Sequence, residues 1–141
     1  MSTDPDCIFC KIVAGEIPCF KLFEDDQTIA FMDINPFSEG HCLAVPKAHF
    51  KDVFSISPDA MAATARTAAL VARAVDATVH PDGLNLIQAN GPAAGQTVFH
   101  FHIHIFPRRD GDRASLDWGH SPGDMDAIGA LAERIKGNIA G

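Results

Sequence analysis

The sequence predicts an α+β fold, in which a mainly antiparallel sheet of about five strands carries two to three helices. Short apolar segments separated by tight turns, and one long alanine-rich segment, support this class. The chain has 141 residues, of which 47% are apolar. Because that length suits one core of ordinary size, we predict a single domain over residues 1–141. Its core covers about residues 7–107, and the tail and last helix cover 108–141.

The stretch from Val98 to Phe106 alternates histidine with large apolar side chains. Successive side chains of a β-strand point to opposite faces, so this alternation predicts a strand. Its apolar residues would enter the core, and these are Phe99, Phe101, Ile103 and Ile105. Its polar residues would form a row on the opposite face, and these are His100, His102 and His104.

The other elements follow from apolar periodicity and from turn residues. A short helix ends at Gly15, and Ser57-Pro58 begins the longest helix, which ends near Val79. Strands are predicted at 21–24, 28–32, 41–45 and 84–89, a loop at 90–95, and a last helix at about 125–136. We expect the helices on one face of the sheet and the histidine row on the other.

The composition restricts the partners and the compartment. The formal net charge is -7, and no basic stripe is visible, so we expect no nucleic-acid partner. The polar start and the absence of a long apolar run predict no membrane partner and a cytoplasmic location. In that compartment, the four cysteines are not expected to form disulfides.

Three imidazoles in a row have several possible explanations. A histidine on a half-buried strand can be a plain hydrogen-bonded residue, whereas a cluster can bind a metal or supply a nucleophile, an acid or a base. The pair Cys7 and Cys10 could also bind zinc through one short turn. A closed tetrahedral site needs two further ligands, and the sequence offers His49 and His100.

The segment His100-Phe-His102-Ile-His104-Ile-Phe, preceded by Gly95-Gln96-Thr97, resembles the signature of the histidine-triad (HIT) family. Upstream segments at 8–12, 23–26, 30–34 and 45–49 are similar to the Hint-like branch of that family. The resemblance covers roughly residues 7–107. The sequence departs from the Hint-like pattern at residues 106–109, where Phe-Pro-Arg-Arg stands in place of a glycine pair, and Trp118 lies in a tail that aligns poorly.

The resemblance implies a nucleotide hydrolase or transferase that cleaves at the α-phosphate of a purine nucleotide, such as a nucleoside phosphoramidate or a nucleotidyl adduct. His102 would be the nucleophile that becomes nucleotidylated, and His104 would contact the phosphate or the leaving group. The phosphate would also be bound by Asn90, Gln96 and Thr97. Asp33 would bind the ribose, and the base pocket would be formed by Phe9, Ile12, Phe31 and Ile34.

The resemblance also implies an HIT-like homodimer whose sheet continues from one subunit to the other, with Leu84–Asn90 and the long helix at the contact. Some bacterial HIT proteins bind structural zinc through residues that correspond to Cys7, Cys10, His49 and His100, and no catalytic metal would be required. Three alternatives stay open. They are a dinucleoside polyphosphate hydrolase, a metal-dependent hydrolase that uses His100, His102 and His104, and a nucleotide-binding adaptor without turnover.

Overall fold

The computed structural model describes residues 1–114, 119 and 121–139. It divides the chain into two compact units, residues 1–111 and residues 112–141. The first unit contains a five-stranded antiparallel sheet in the order β1-β2-β3-β5-β4. Its elements are α1 (Ile8–Val13), β1 (Lys21–Glu24), β2 (Thr28–Met32), β3 (Cys42–Pro46), α2 (Pro58–Val79), β4 (Gly83–Ile87) and β5 (Ile103–Arg108). The predicted α+β class is confirmed.

The second unit contains helix α3 (Met125–Gly137), whose N-terminus is capped by the Asp124 carboxylate. The prediction for Trp118 lies outside the described residues. No helix in the described ranges is both long enough and apolar enough to cross a membrane. The assignment of the whole chain to one domain stays a prediction.

Helix α2 begins and ends where its sequence signals predict. The Ser57 hydroxyl accepts a hydrogen bond from the Ala60 N–H at 3.2 Å, and Pro58 occupies the first helical position. The N–H groups of a first helical turn have no partner within the helix. The serine hydroxyl pairs with one of them, and proline has no N–H that would need a partner. The helix ends at His80, whose left-handed backbone (φ 48°) stops the helical hydrogen bonding.

Both faces of the sheet are covered. Helix α2 packs on one face through Val71 and Val75, which contact Ala30, Cys42 and Ile105. Helix α1 packs on the other face, where the buried cluster is Cys7, Phe9, Cys10, Ile29, Phe31, Leu43 and Val45. The prediction that all helices share one face is therefore wrong for α1. The physical reason is that β2 and β3 carry apolar side chains on both faces, so each face needs cover.

The histidine strand is shorter than predicted at its start. Regular pairing of β3 with β5 extends only to Ala44 and Ile103, because Pro46 at the end of β3 cannot make the regular backbone hydrogen bonds. Pro46 has no N–H, and its carbonyl accepts a hydrogen bond from His100 Nε2 at 2.7 Å instead. Phe99 lies in the bend before the strand and is 44% exposed, so its predicted place in the core is wrong, whereas Phe101, Ile103 and Ile105 are buried as predicted.

Candidate active site

The three predicted histidines lie on the sheet face that α1 covers. His100 is fully buried, His102 is 6% exposed, and His104 is partly buried. The Phe9 ring of α1 meets the His102 ring edge-on, with ring centres 5.1 Å apart. The row therefore lies beneath α1, whereas we expected the helices on the opposite face of the sheet.

His102 is held in the tautomer that a nucleophile needs. Its Nδ1–H donates to the His100 carbonyl oxygen at 2.7 Å, which leaves the lone pair on Nε2. Burial lowers the pKa of His102, while the hydrogen bond to the His100 carbonyl and the Asp33 carboxylate oppose that shift. A neutral imidazole with one nitrogen anchored and the other free is a positioned nucleophile.

His104 is paired with His41, a residue that the sequence reasoning missed. The Phe37 N–H donates to His41 Nδ1 at 3.0 Å, so the hydrogen of the neutral ring is on Nε2. That Nε2 lies 2.9 Å from His104 Nδ1 and 3.5 Å from Asp33 Oδ2. His41 Nε2–H therefore donates to His104 Nδ1, and the remaining hydrogen of His104 is on its Nε2.

Burial keeps this pair uncharged. Burial and the nearby His102 and His41 lower the pKa of His104 to about 4. Burial also lowers the pKa of His41, against the opposing effect of the Asp33 carboxylate. At neutral pH the pair therefore presents a neutral His104 with an N–H available as a hydrogen-bond donor.

Next to the histidines lies a cleft of ≈ 370 Å³ between α1, β2 and the segment before β5. It brings together all the residues predicted to bind ribose and base, together with one predicted phosphate-binding residue. These are Phe9, Ile12, Phe31, Asp33, Ile34 and Thr97. The walls also include residues that the prediction did not name, namely Ile8, Ile17, Pro18, Cys19, Met32, Asn35, Leu43 and Val98. A largely apolar cleft with a few polar groups suits a flat aromatic base attached to a sugar.

Asn90 and Gln96, which were also predicted to bind the phosphate, shape the loop that leads into β5. Gln96 is buried, its side-chain oxygen Oε1 accepts from the Gly91 N–H, and its Nε2 donates to the Lys51 and Val98 backbone carbonyls. The Asn90 side chain accepts from the Val53 N–H and pairs with Gln88. Both side-chain amides fix the course of the loop. Of the three loop residues predicted to bind the phosphate, Thr97 is the one that lines the cleft.

The four predicted metal ligands converge in the first unit. His100 Nδ1 lies 3.4 Å from Cys7 Sγ, 3.6 Å from Cys10 Sγ and 3.2 Å from His49 Nδ1, and Cys10 Sγ lies 3.5 Å from His49 Nδ1. Around a tetrahedral zinc ion, typical bond lengths imply N···S edges of about 3.5 Å and an N···N edge of about 3.3 Å. These four of the six donor separations therefore match those of a tetrahedral zinc site, and all four donor atoms lie within 4.8 Å of one another.

The hydrogen bonds around this cluster favour metal-binding forms of its ligands. His100 Nε2–H donates to the Pro46 carbonyl at 2.7 Å, which leaves Nδ1 as an electron-pair donor. The Asp4 N–H points to Cys10 Sγ at 3.4 Å, and the Cys10 N–H points to Cys7 Sγ at 3.5 Å. Outer hydrogen bonds of this kind orient metal ligands, and they support the charge of thiolates. The residues fit zinc.

A family model for the HIT domain matches residues 14–111, which include the paired strands, His41, His49 and the full histidine row. The chain belongs to the HIT family. The matched residues stop at the end of the first compact unit.

Three relatives of this HIT protein have informative names. The adenosine 5'-monophosphoramidase HNT1 of Candida albicans is 34% identical over 99% of this chain and 95% of the relative. The adenylylsulfatase HINT3 of Arabidopsis thaliana is 45% identical over 76% of this chain, which spans only 54% of HINT3. A zinc-bound histidine-triad protein from Mycobacterium smegmatis has a TM-score of 0.73 and 36% identity, with 94% of this chain and 98% of that chain covered.

A second group of possible ligands in this HIT protein, Asp33, His41 and His104, fits a metal less well. Since His41 Nδ1 accepts the Phe37 N–H, His41 Nε2 carries the hydrogen and has no lone pair to offer. His100 Nδ1 faces the cysteines, whereas His104 Nδ1 faces His41. The triad imidazoles thus have different partners, an arrangement that does not suit one ion shared by His100, His102 and His104.

Proposed function

We propose that this HIT protein is a nucleotide hydrolase or transferase that cleaves at the α-phosphate of a purine nucleotide conjugate, with His102 as the nucleophile. The observation that carries the proposal is the anchored tautomer of His102 beside a nucleotide-sized cleft. The phosphoramidase and adenylylsulfatase names of two relatives support the reaction class. Nucleoside phosphoramidates and nucleotidyl adducts are the proposed substrates.

In the first step, His102 Nε2 attacks the α-phosphorus, and the bond from phosphorus to the leaving group breaks. The electron pair of that bond goes to the leaving group, which takes a proton from His104 Nε2. His41 can restore a hydrogen to His104 through their shared hydrogen bond. Water then attacks phosphorus and gives a proton to the His41–His104 pair, which replaces the proton given to the leaving group. The bond from phosphorus to His102 breaks, its electron pair returns to His102 Nε2, and a nucleoside monophosphate is released.

We propose roles for the remaining residues as well. Asp33 would accept hydrogen bonds from the ribose hydroxyls, and its carboxylate is held in place by the Asn35 N–H at 2.7 Å. The purine would lie among Phe9, Ile12, Phe31 and Ile34. Thr97 would donate to the phosphate, together with Asn90, while Gln96 contributes by fixing the loop.

The zinc site is proposed as a structural one, held by Cys7, Cys10, His49 and His100. Zinc at this point would join the N-terminus of α1 to the segment after β3 and to the start of the histidine row. It would also fix His100, whose carbonyl anchors His102 Nδ1. The zinc-bound relative supports the assignment.

We further propose a homodimer in which the edge strand β4 continues the sheet into a second copy. This strand lies at one end of the sheet and exposes Leu86, and an unprotected edge strand is usually covered. The contact would involve Leu84–Asn90 and α2. Sedimentation at micromolar concentration should give twice the mass of one chain, and the mass of a single chain would contradict the proposal. The predicted cytoplasmic location stays a prediction.

The nucleophile can be tested with adenosine phosphoramidate. Wild-type protein should release AMP at steady state, and acid-quenched mixtures should contain a nucleotidylated peptide that includes His102. His102→Ala should reduce kcat by several orders of magnitude, as deletion of a nucleophile generally does. Because His102 is buried, thermal melting must show that the variant is folded.

The alternatives make different predictions in the same assay. A dinucleoside polyphosphate hydrolase would have the higher kcat/KM for a diadenosine polyphosphate, and an adaptor would bind AMP but show no turnover. A metal-dependent hydrolase would lose activity when a chelator is present during the assay at a temperature where the fold is intact. A nucleotidylated peptide that maps to His104 would refute the role of His102.

A further inference from the structure

Phe106 contacts both imidazoles of the His41–His104 pair. Its ring stacks on His104 with an interplanar angle of 11° and ring centres 5.1 Å apart. It lies against His41 with ring centres 4.2 Å apart. Phe106 follows His104 by two positions on β5, so both side chains are on the same face of the sheet.

Phe37 supports this arrangement from the loop after β2. Its ring meets Phe106 edge-on at 87°, with ring centres 5.5 Å apart. Its backbone N–H is the donor that fixes the tautomer of His41. The Arg108 guanidinium lies 5.8 Å from the centre of the Phe37 ring and donates to Asn85 on β4 at 2.9 Å. Contacts among the loop after β2, strand β4 and strand β5 therefore hold Phe37 and Phe106 in place.

We propose that Phe37 and Phe106 are positioning residues that hold His41 and His104 in one ring orientation, so that His104 Nε2–H faces the substrate. The inference rests on the proposed function, because it assigns these residues to the leaving-group step. Together, the two phenylalanines form an aromatic brace for the His41–His104 pair.

A brace is needed because one hydrogen bond does not fix an imidazole. The second side-chain torsion of histidine is broad and nearly twofold, and a half-turn of His104 would replace Nδ1 with a carbon atom next to His41 Nε2. An offset-stacked aromatic neighbour favours a parallel arrangement of the two rings. The stacked Phe106 ring therefore fixes the plane of the His104 ring, and within that plane the His41 Nε2–H favours the half-turn in which Nδ1 faces it.

The brace also limits the access of water to the pair. The ionisable groups that face His104 are Asp33, His41 and His102, and Arg108 faces the outer side of Phe37. Removal of the Phe106 ring would hydrate His104 and raise its pKa toward the ordinary histidine value. The charged form would then appear at higher pH, so the acid limb of the kcat profile should move upward.

The test compares Phe106→Ala, Phe106→Tyr and Phe37→Ala in full-length protein, with adenosine phosphoramidate as substrate. Misplacement of a catalytic group by about 1 Å can cost up to about 100-fold, so we expect Phe106→Ala to lower kcat by about 10- to 100-fold while KM changes less than about threefold. Phe106→Tyr keeps the ring and should restore kcat. Phe20→Ala removes an exposed ring and serves as the matched control.

Nitrogen-15 spectra of the histidine rings give a readout that does not need turnover. Wild-type protein should show His41 and His104 as single Nε2–H tautomers, and Phe106→Ala should show a mixture for His104. If Phe106→Ala does not fold, Phe37→Ala should show a smaller change of the same kind. Unchanged tautomers, or kcat within about threefold of wild type, would overturn the brace. Wild-type protein without turnover would refute the proposed function, whereas the spectra would still test the brace.

Discussion

Loss of the zinc site should lower stability strongly and turnover only slightly. The perturbation is Cys10→Ser, which removes the sulfur that lies 3.5 Å from His49 and 3.6 Å from His100. These contacts join residues 39 and 90 positions apart in sequence. A crosslink that closes a loop of about 90 residues stabilises a fold by roughly 4–5 kcal/mol in the chain-entropy model.

The measured loss of unfolding free energy should be somewhat smaller than this value, because zinc also binds cysteine and histidine in an unfolded chain. We expect a loss of about 3–5 kcal/mol, which corresponds to a fall in Tm of roughly 12–20 °C at about 4 °C per kcal/mol for a unit of this size. His100 Nε2 keeps its bond to the Pro46 carbonyl, so the anchor of His102 survives. Below the melting temperature, kcat should fall less than about threefold.

The assay combines elemental analysis with thermal unfolding, before and after treatment with a chelator. Cys19→Ser is the control for zinc content and melting, because Cys19 lies outside the cluster. Chelation should lower the Tm of wild-type protein toward that of Cys10→Ser and should not change the Tm of Cys10→Ser. Wild-type protein that carries well under one zinc per chain without exposure to a chelator, or that melts at the same temperature as Cys10→Ser, would refute the reasoning.

Two further predictions concern pH and a buried hydroxyl pair. Burial lowers the pKa of His102 from 6.5 and lowers that of His104 to about 4, and the neutral imidazole is the reactive form. As pH falls, kcat/KM should therefore hold through pH 6.5 and decline only near the lowered values, and a decline centred on 6.5 would contradict this. The buried hydroxyls of Thr28 and Thr67 lie 2.7 Å apart. Thr28→Val should cost about 1–3 kcal/mol in urea unfolding, and adding Thr67→Val should cost less than the sum of the two single changes.

Local signals made the secondary structure predictable from the sequence. Helix α2 has its cap at Ser57 and a proline at its first position, and both act through neighbouring backbone groups. The strands β1 and β2 flank a turn in which the Asp25 carboxylate accepts the N–H groups of Gln27 and Thr28. The alternation of residues 103–108 likewise gives a strand with one buried face. Such features depend on residues a few positions apart.

Much of the candidate site was also predictable, because the residue types themselves limit the chemistry. The pair Cys7 and Cys10 needs two further ligands, and ligand atoms of His49 and His100 lie within 4.8 Å of the two cysteines. That the group binds zinc stays a prediction. The cleft residues named from the resemblance, including Asp33 and Phe31, line one cavity. Their proposed contacts with a nucleotide stay predictions.

The tertiary structure alone decided which groups contact His102 and His104. His41 and His104 are 63 positions apart and meet only because β3 and β5 pair in one particular antiparallel register. The burial of His102 depends on α1 crossing the same face of the sheet, and the brace depends on the loop that carries Phe37. A side-chain pattern along one strand determines which residues share a face. It does not determine what packs on that face, because this depends on contacts between distant segments.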